Sequence, residues 1–149
     1  VLYFTGASRS SAAIIDQQKK NTSSGNEKAI EAMHRIKRSA IDMKFALLKG
    51  DMQEFARILG EGWEDKKKMA DAITNPMIQN VFDTAMSAGA LAGKVSGAGG
   101  GGFVMLMVEP TRKKEVIDAL NRLDGFVMPF QFTEGGAHGW RIYSTDKVK

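Results

Sequence analysis

A glycine-rich run offers the clearest chemistry in this sequence. Residues 94–103 read Lys-Val-Ser-Gly-Ala-Gly-Gly-Gly-Gly-Phe. Glycine has no Cβ, so it adopts positive φ cheaply and lets a ligand or another chain segment approach its backbone. Successive free N–H groups in such a loop form a concavity that suits an anion. The run therefore predicts a phosphate-binding loop, and a tight hairpin in which glycine only avoids clashes is the alternative.

Three known phosphate-loop patterns do not fit this run. The spacing Gly97-x-Gly99-x-x-Gly102 matches the dinucleotide fingerprint, but that fingerprint requires a helix next, and residues 103–108 are typical of a buried strand. A Walker A loop ends in Gly-Lys-Ser/Thr, which is absent here. The protein-kinase glycine loop lies between strands, but none of the kinase motifs that should follow it is present.

A second candidate site lies near the start of the chain, at Gly6-Ala7-Ser8-Arg9-Ser10-Ser11. Small residues, hydroxyls and an arginine at a strand-to-helix junction suit an oxyanion, through backbone N–H groups, the positive helix end and a bidentate guanidinium. Ser8, Arg9 and Ser10 are therefore predicted to bind substrate, with Arg9 on a phosphate. In the alternative, Ser8 caps the helix and Arg9 is exposed.

The remaining candidates favour structural interpretations. Lys94 could reach a phosphate, but an exposed lysine is the favoured interpretation. His34 lies on a charged helix and His138 in a glycine-rich loop, so both are expected at the surface. Trp63 and Trp140 are expected to anchor a core or an interface rather than to stack on a sugar.

The composition is that of a globular domain. The chain has 149 residues, of which 43% are hydrophobic and 26% charged, with no cysteine and two histidines. A disulfide framework and a structural metal site are therefore not expected, and no run approaches the length of a membrane helix. The net charge is +4, and the positively charged residues are scattered along predicted helix faces rather than clustered. Nucleic-acid binding is therefore not expected either. Cytoplasmic localisation follows as the default.

Periodicity and breaker residues place the secondary structure. The predicted elements are a strand at 1–5, helices at 8–20, at 27–49, from 51 and from 75, strands at 94–96 and 103–108, a helix from 110, and strands at 126–132 and 140–143. Removing the additional helices leaves βαββαβ, so the predicted fold class is α+β with a ferredoxin-like sheet. A single domain over residues 1–149 is expected, and a first residue that is not methionine, inside a strand, suggests a fragment of a longer protein.

Two apolar patterns predict which faces are buried. In the second helix, apolar residues recur every three or four positions and should form one buried stripe; they are Ile30, Met33, Ile36, Ala40, Met43 and Leu47. Phe126, Met128, Phe130 and Phe132 alternate, which predicts a strand with one buried aromatic face. Pro129 places that strand at an edge or a bulge.

The run from Lys94 to Phe103 closely resembles the third conserved motif of the GHMP kinases. Residues 3–11, Pro129-Phe130-Gln131-Phe132 and Gly139-Trp140 support the resemblance, which spans the whole chain. Within the family, the sequence most resembles kinases that phosphorylate D-glycero-D-manno-heptose 7-phosphate. The family's C-terminal domain has a ferredoxin-like sheet with added helices, which agrees with the fold predicted from periodicity.

The resemblance implies an ATP-dependent sugar kinase that also uses Mg²⁺. It implies that the glycine loop lines the active-site cleft and packs against a nucleotide loop of an N-terminal domain. The residues assigned to this nucleotide- or phosphate-binding loop are Ser96, Gly97, Ala98, Gly99, Gly100, Gly101 and Gly102. No metal ligand is assigned to this chain.

Two further parts of the family pattern are absent from this sequence. These are the Pro-x-x-x-Gly-Leu-x-Ser-Ser loop and the aspartate that acts as base or electrostatic partner, and both belong to the N-terminal domain. The chain is therefore expected to carry half an active site, to contain no catalytic residue and to be inactive alone. Expected partners are ATP, a sugar phosphate and the N-terminal domain; nine methionines and the strand edges also permit a homodimer.

Other functions stay open at this point. A GHMP kinase for fucose, galactose or another sugar is one alternative. A non-catalytic small-molecule-binding or regulatory module of the same fold is another, because fold alone does not determine function. A basic RNA-binding domain ranks last, since the sequence lacks interleaved aromatic and basic residues.

Overall fold

A computed structural model describes residues 1–6 and 11–140. Its elements in chain order are β1 (Leu2–Phe4), α1 (Ser11–Ser23), α2 (Glu27–Lys49), α3 (Met52–Lys67), α4 (Pro76–Ser87), β2 (Ala90–Val95), β3 (Phe103–Val108), α5 (Lys113–Leu120) and β4 (Phe126–Met128). Short 3₁₀ turns at Asp71–Ile73 and Pro110–Arg112 precede α4 and α5. No helix in the described part of the chain is both long and apolar enough to cross a membrane.

The four strands form one antiparallel sheet in the order β2-β3-β1-β4. This is the strand order of a ferredoxin-like βαββαβ sheet, so the predicted fold class is confirmed. The sheet places β1 at its centre, next to β3, although the two strands are far apart in sequence. As predicted from Pro129, β4 lies at an edge, and it ends at Met128.

Side-chain caps fix where three helices begin. Asn26, Asp51 and Asn75 each accept a hydrogen bond from the backbone N–H three residues later, which satisfies a donor that the helix itself leaves free. Gly50 ends α2 with φ +71°, a left-handed conformation that glycine adopts without a steric penalty. The predicted bounds of α2 are confirmed.

The core lies between one face of the sheet and the helices. Tyr3, Val95 and Val104 are cross-strand partners, each 1% exposed or less, and they belong to one cluster with residues of α4 and α5. The adjacent residues Phe4, Phe103 and Phe126 form an aromatic row on the opposite side of the pleat. The alternation of the strands therefore divides the sheet into a core face and an aromatic face.

Several sequence predictions about element bounds and burial are wrong. The loop predicted at 21–26 begins later, because α1 continues to Ser23 and the Thr22 hydroxyl bonds back to the carbonyl of Gln18. Strand β2 begins at Ala90 rather than Lys94, since it pairs with β3 along that whole length. In α2 the buried residues are Ala29, Ala32 and Ala46, whereas Leu47 of the predicted stripe is 57% exposed.

The predicted aromatic strand at 126–132 is confirmed only over Phe126–Met128, and its predicted buried face is wrong. Phe126 and Phe130 are about half exposed, and Phe132 is 95% exposed. Strand order explains this: β4 pairs with β1 for only three residues and has no described neighbour on its other side. The predicted last strand at 140–143 falls almost entirely outside the described residues; Trp140 itself is outside any strand and 81% exposed, so it is not a core anchor.

Candidate functional site

The glycine loop joins the ends of β2 and β3 as a hairpin. Its five glycines, Gly97 and Gly99–Gly102, all have positive φ. At Gly99 a Cβ would lie 2.7 Å from the carbonyl oxygen of Ile73, so only glycine fits this close approach. At Gly97 and Gly102 a Cβ would meet nothing within 4 Å. The loop thus has an inner part packed on the protein and an outer part that faces open space.

Hydrogen bonds hold Gly100 and Gly102 to two other segments. Gly100 donates its N–H to the carbonyl of Ile73 at 2.8 Å, and the Asn75 side-chain amide donates to the carbonyl of Gly100 at 3.1 Å. Thr5 donates its N–H to the Gly102 carbonyl at 2.9 Å and accepts from the Gly102 N–H on its hydroxyl at 3.1 Å. The start of α4 and the end of β1 therefore fix the loop conformation.

Several backbone amides of the loop point to no protein acceptor. Within the described residues, the N–H groups of Gly97, Ala98, Gly99 and Gly101 make no hydrogen bond. Gly99 and Gly101 are buried, whereas Gly97 is exposed and Ala98 is partly buried. The hydroxyl of Thr74, between the two residues that contact Gly100, is buried without a partner in the described chain. Successive unpaired amides in one loop form a concavity that suits an anion.

The second predicted site, Ser8, Arg9 and Ser10, lies outside the described residues. Thr5 and Gly6 immediately precede it, and Thr5 is bonded to the glycine loop. Of the residues just before this segment, Thr5 therefore lies beside the glycine loop.

Lys94, expected to be exposed, is half-buried. Its ammonium donates to the carbonyl of Val95 at 3.0 Å, and burial lowers the pKa of Lys94 below its ordinary value. Burial also lowers the pKa of Lys66 on α3, and the positive charge of Lys94 lowers it further. Neither lysine has an acidic partner among the described residues, so they form a pair of like charges in one partly buried place.

A different charge cluster lies on another side of α3. The carboxylate of Asp65, a residue 6% exposed, accepts hydrogen bonds from Arg35 and from Lys68, both at 2.8 Å. Burial raises the pKa of Asp65, but the hydrogen bonds from Lys68 and Arg35 outweigh it and the net shift is downward. The buried negative charge of Asp65 is thus paired with two positive charges, as expected of an ion pair with a structural role.

The exposure of the side chains tests the remaining predictions for single tryptophan and histidine residues. Trp63 is 5% exposed and stacks on Phe82 with ring centroids 5.4 Å apart, so its assignment as a core anchor is confirmed. His34 and His138 are exposed, as predicted. Sequence reasoning missed Thr5, Lys66 and Asn75 as site residues, because none of their contacts with the site is local in sequence.

The described residues do not fit a metal ion. No group of three or more His, Asp or Glu side chains in this part of the chain could hold one. The described residues thus provide amide donors for an anion but no acidic ligand set for Mg²⁺, and none of the chemistry below depends on a metal ligand from them.

Fold and site together define a ferredoxin-like α+β domain with a glycine-rich hairpin loop and unpaired amides. Residues 43–124 match the family model described as GHMP kinases C terminal. This chain therefore belongs to the GHMP kinase C-terminal family, as the sequence resemblance indicated.

Similar proteins support this assignment. The chain is 44% identical over 142 residues to D-glycero-alpha-D-manno-heptose 7-phosphate kinase of Campylobacter jejuni, a match that covers 95% of this chain and 41% of that protein. It also resembles the crystal structure of a C. jejuni protein proposed to be a sugar kinase, with TM-score 0.64, 39% identity, and coverage of 95% of this chain and 38% of that one. Mevalonate kinase from L. major, solved with R-mevalonate, has TM-score 0.73 at 20% identity over 81% of this chain and 37% of its own, and so shares the fold.

The chain thus spans about two fifths of the length of the curated relative that it matches. The family match favours neither the non-catalytic module nor the RNA-binding alternative.

Proposed function

We propose that this chain is the C-terminal domain of an ATP-dependent sugar kinase that acts on D-glycero-D-manno-heptose 7-phosphate. The observation that carries the proposal is the glycine loop, whose unpaired amides are held in place by Thr5 and Asn75. The 44% identity to a heptose 7-phosphate kinase supports the choice of substrate. ATP with Mg²⁺, a cytoplasmic location and an N-terminal domain of the same protein as partner belong to the same proposal.

The proposed reaction forms a bond between a sugar hydroxyl oxygen and the γ-phosphorus of ATP. The bond between that phosphorus and the β,γ-bridging oxygen breaks, ADP leaves, and the hydroxyl proton passes to a base outside this chain. Phosphoryl transfer depends chiefly on positioning and on compensation of negative charge. Preorganised backbone N–H groups supply both without the entropy cost of ordering long side chains.

In this proposal the loop residues divide their roles. Gly99 and Gly100 are packed against Ile73 and position the loop, whereas Gly97 and Ala98 present free amides to phosphoryl oxygens. Ser96 and Gly101–Gly102 complete the loop. Ser8, Arg9 and Ser10 are proposed to hold the phosphate of the sugar, because they follow Thr5, which contacts the loop.

The test uses the complete protein and measures ADP release with Mg-ATP and a panel of sugars that includes heptose 7-phosphate. Gly97→Ala should lower kcat/KM for the sugar phosphate at least tenfold, because its Cβ would occupy the open space in front of the free amides and strain the positive φ that aims them. Gly25→Ala is the matched control: Gly25 has φ +77° and Gly97 φ +78°, and a Cβ at either position meets nothing within 4 Å. The two variants thus share the backbone strain but not the site.

Equal activity of the two glycine variants would refute the role of the loop. Turnover of fucose or galactose but not of the heptose phosphate would instead reassign the substrate within the sugar kinases. The chain alone should release no ADP, and turnover by it would show that the catalytic residues lie within these 149 residues.

A further inference from the structure

A cleft separates the two long helices from the end of β2, next to the glycine loop. It has a volume of about 290 Å³, at the lower end of the range for small-molecule sites. Its walls are mainly apolar side chains of α2 and α3, among them Ile36, Met43, Leu59 and Trp63. Such walls favour a ligand with an apolar body.

Two cations lie in the same cleft. Lys66 and Lys94 both line it and both are half-buried, yet neither contacts a carboxylate of the described chain. Within the described residues each ammonium donates to a neutral oxygen: Lys66 to the side chain of Gln18 and Lys94 to the carbonyl of Val95, both at 3.0 Å. Holding two unpaired positive charges together against apolar walls is costly unless an anion joins them.

Two further donors lie close to the lysines. Gln18 accepts from Lys66 through its Oε1, which leaves its Nε2 buried and without a partner in the described chain. Gly97 lines the cleft, and its backbone N–H is one of the unpaired amides of the glycine loop. Lys66, Lys94 and Gly97 thus bring donors to the cleft, beside the Ser39 hydroxyl, which can donate or accept, and Gln18 lies next to Lys66 outside the lining. A set dominated by donors suits an oxyanion.

We propose that this cleft binds a small organic anion, with its carboxylate or phosphate on Lys66 and Lys94 and its apolar body between α2 and α3. A sugar phosphate fits poorly here, because most of its hydroxyl groups would face apolar side chains such as Ile36, Met43 and Leu59, and Ser39 is the one hydroxyl side chain of the described residues that lines the cleft. We therefore expect a less polar anion than a sugar phosphate. Its position against Gly97 would let an occupant act on the outer part of the glycine loop.

The test is isothermal titration calorimetry of the complete protein with octanoate, in the absence of ATP and sugar. Octanoate should bind, whereas octanol and octylamine, which share its chain but lack its negative charge, should bind at least tenfold more weakly. Inorganic phosphate, which lacks the apolar body, should not displace octanoate at equal concentration. Octanol binding as tightly as octanoate, or no binding of octanoate at all, would overturn the proposal.

Charge-removing variants locate the site. Lys66→Met and Lys94→Met should each weaken octanoate binding at least tenfold, while Lys66→Arg and Lys94→Arg should keep it within about threefold, because they retain the charge. Lys67→Met is the matched control, since Lys67 is the next residue of α3 but pairs with Glu64 and lines another cavity. An equal loss in the Lys67 variant would refute the assignment. Displacement by phosphate would make the site a phosphate subsite instead, and kinase activity is not needed to read any of these outcomes.

Discussion

Helix α3 carries two groups of buried charge that differ in one respect. On one side, the carboxylate of Asp65 accepts hydrogen bonds from Arg35 and Lys68, so opposite charges meet. On another side, Lys66 and Lys94 bring like charges into an apolar cleft with no described carboxylate. We therefore expect the ion pairs of Asp65 to stabilise the fold, and the Lys66 and Lys94 pair to destabilise it unless an anion binds.

The glycine loop repeats the same division. Its inner residues pack on Ile73 and bond to Asn75 and Thr5, whereas Gly97 faces open space with a free amide. Packed and bonded groups should respond to mutation through stability, and open or unpaired groups through binding. The following four predictions test this distinction, from the largest expected effect to the smallest.

Gly99→Ala should destabilise the protein most. The new Cβ would lie 2.7 Å from a backbone oxygen and 2.9 Å from the Cα of Ile73, at a φ of +108°. Backbone atoms cannot move aside cheaply, so we expect a loss of about 3 kcal/mol in the free energy of unfolding. Urea unfolding measures it, with Gly97→Ala as the control at about 1 kcal/mol. Similar losses in both variants would mean that the inner loop is not tightly packed.

Asp65→Asn should destabilise by about 2 kcal/mol, because it leaves Arg35 and Lys68 beside a neutral amide. This figure allows for solvent screening, since the side chains of Arg35 and Lys68 are 39% and 40% exposed. Thermal and urea unfolding provide the measurement. A neutral result would show that the Asp65 cluster contributes no more than a surface ion pair.

Lys66→Met should increase the stability of the protein, unlike the two preceding substitutions. Removing one of two unpaired like charges from an apolar cleft should raise the free energy of unfolding by about 0.5–1 kcal/mol in the absence of ligand. The same unfolding experiment detects it, with Lys67→Met expected to be neutral or slightly destabilising through the loss of the Glu64 pair. A clear destabilisation by Lys66→Met would contradict the view that this lysine is unpaired.

The stability of the protein should depend on pH through both Asp65 and the two cleft lysines, with changes in the free energy of unfolding smaller than those above. The pKa of Asp65 is lowered on folding, so its contribution is complete above the unfolded value of about 3.9 and is lost as the pH falls through the folded value. The pKa values of Lys66 and Lys94 are also lowered, so the folded state binds fewer protons and stability rises with pH up to their ordinary value of 10.5.

Unfolding as a function of pH checks both parts. The acid-side loss should be smaller in Asp65→Asn, and the gain of stability toward pH 10.5 should be smaller in Lys66→Met. Parallel curves for the wild type and both variants would show that neither group titrates differently in the folded and unfolded states.

Much of the fold could be predicted from the sequence because its signals are local. The caps Asn26, Asp51 and Asn75 act on a backbone N–H three residues away, so a few neighbouring residues determine them. The glycine loop between two strands, the bounds of α2 and β3, and the ferredoxin-like plan follow from short-range pattern. The family resemblance rested on the same contiguous loop, and the family match agrees with it.

Burial and partner choice were not determined in this way. The aromatic alternation from Phe126 to Phe132 predicts a buried face, but an edge strand that pairs for three residues has nothing to cover it. Lys94 reads as a surface residue, and only the packing of α2 and α3 beside β2 encloses it together with Lys66.

The sequence by itself therefore determined where elements begin and end and which loop could bind an anion, because those depend on dihedral preferences and contacts within a few residues. Only the tertiary structure decided that Thr5 and Asn75 hold the glycine loop. It also decided that the charge of Asp65 is paired with Arg35 and Lys68, whereas the charges of Lys66 and Lys94 have no described acidic partner. These depend on which distant segments meet, and the electrostatic cost of a charge depends on everything that surrounds it.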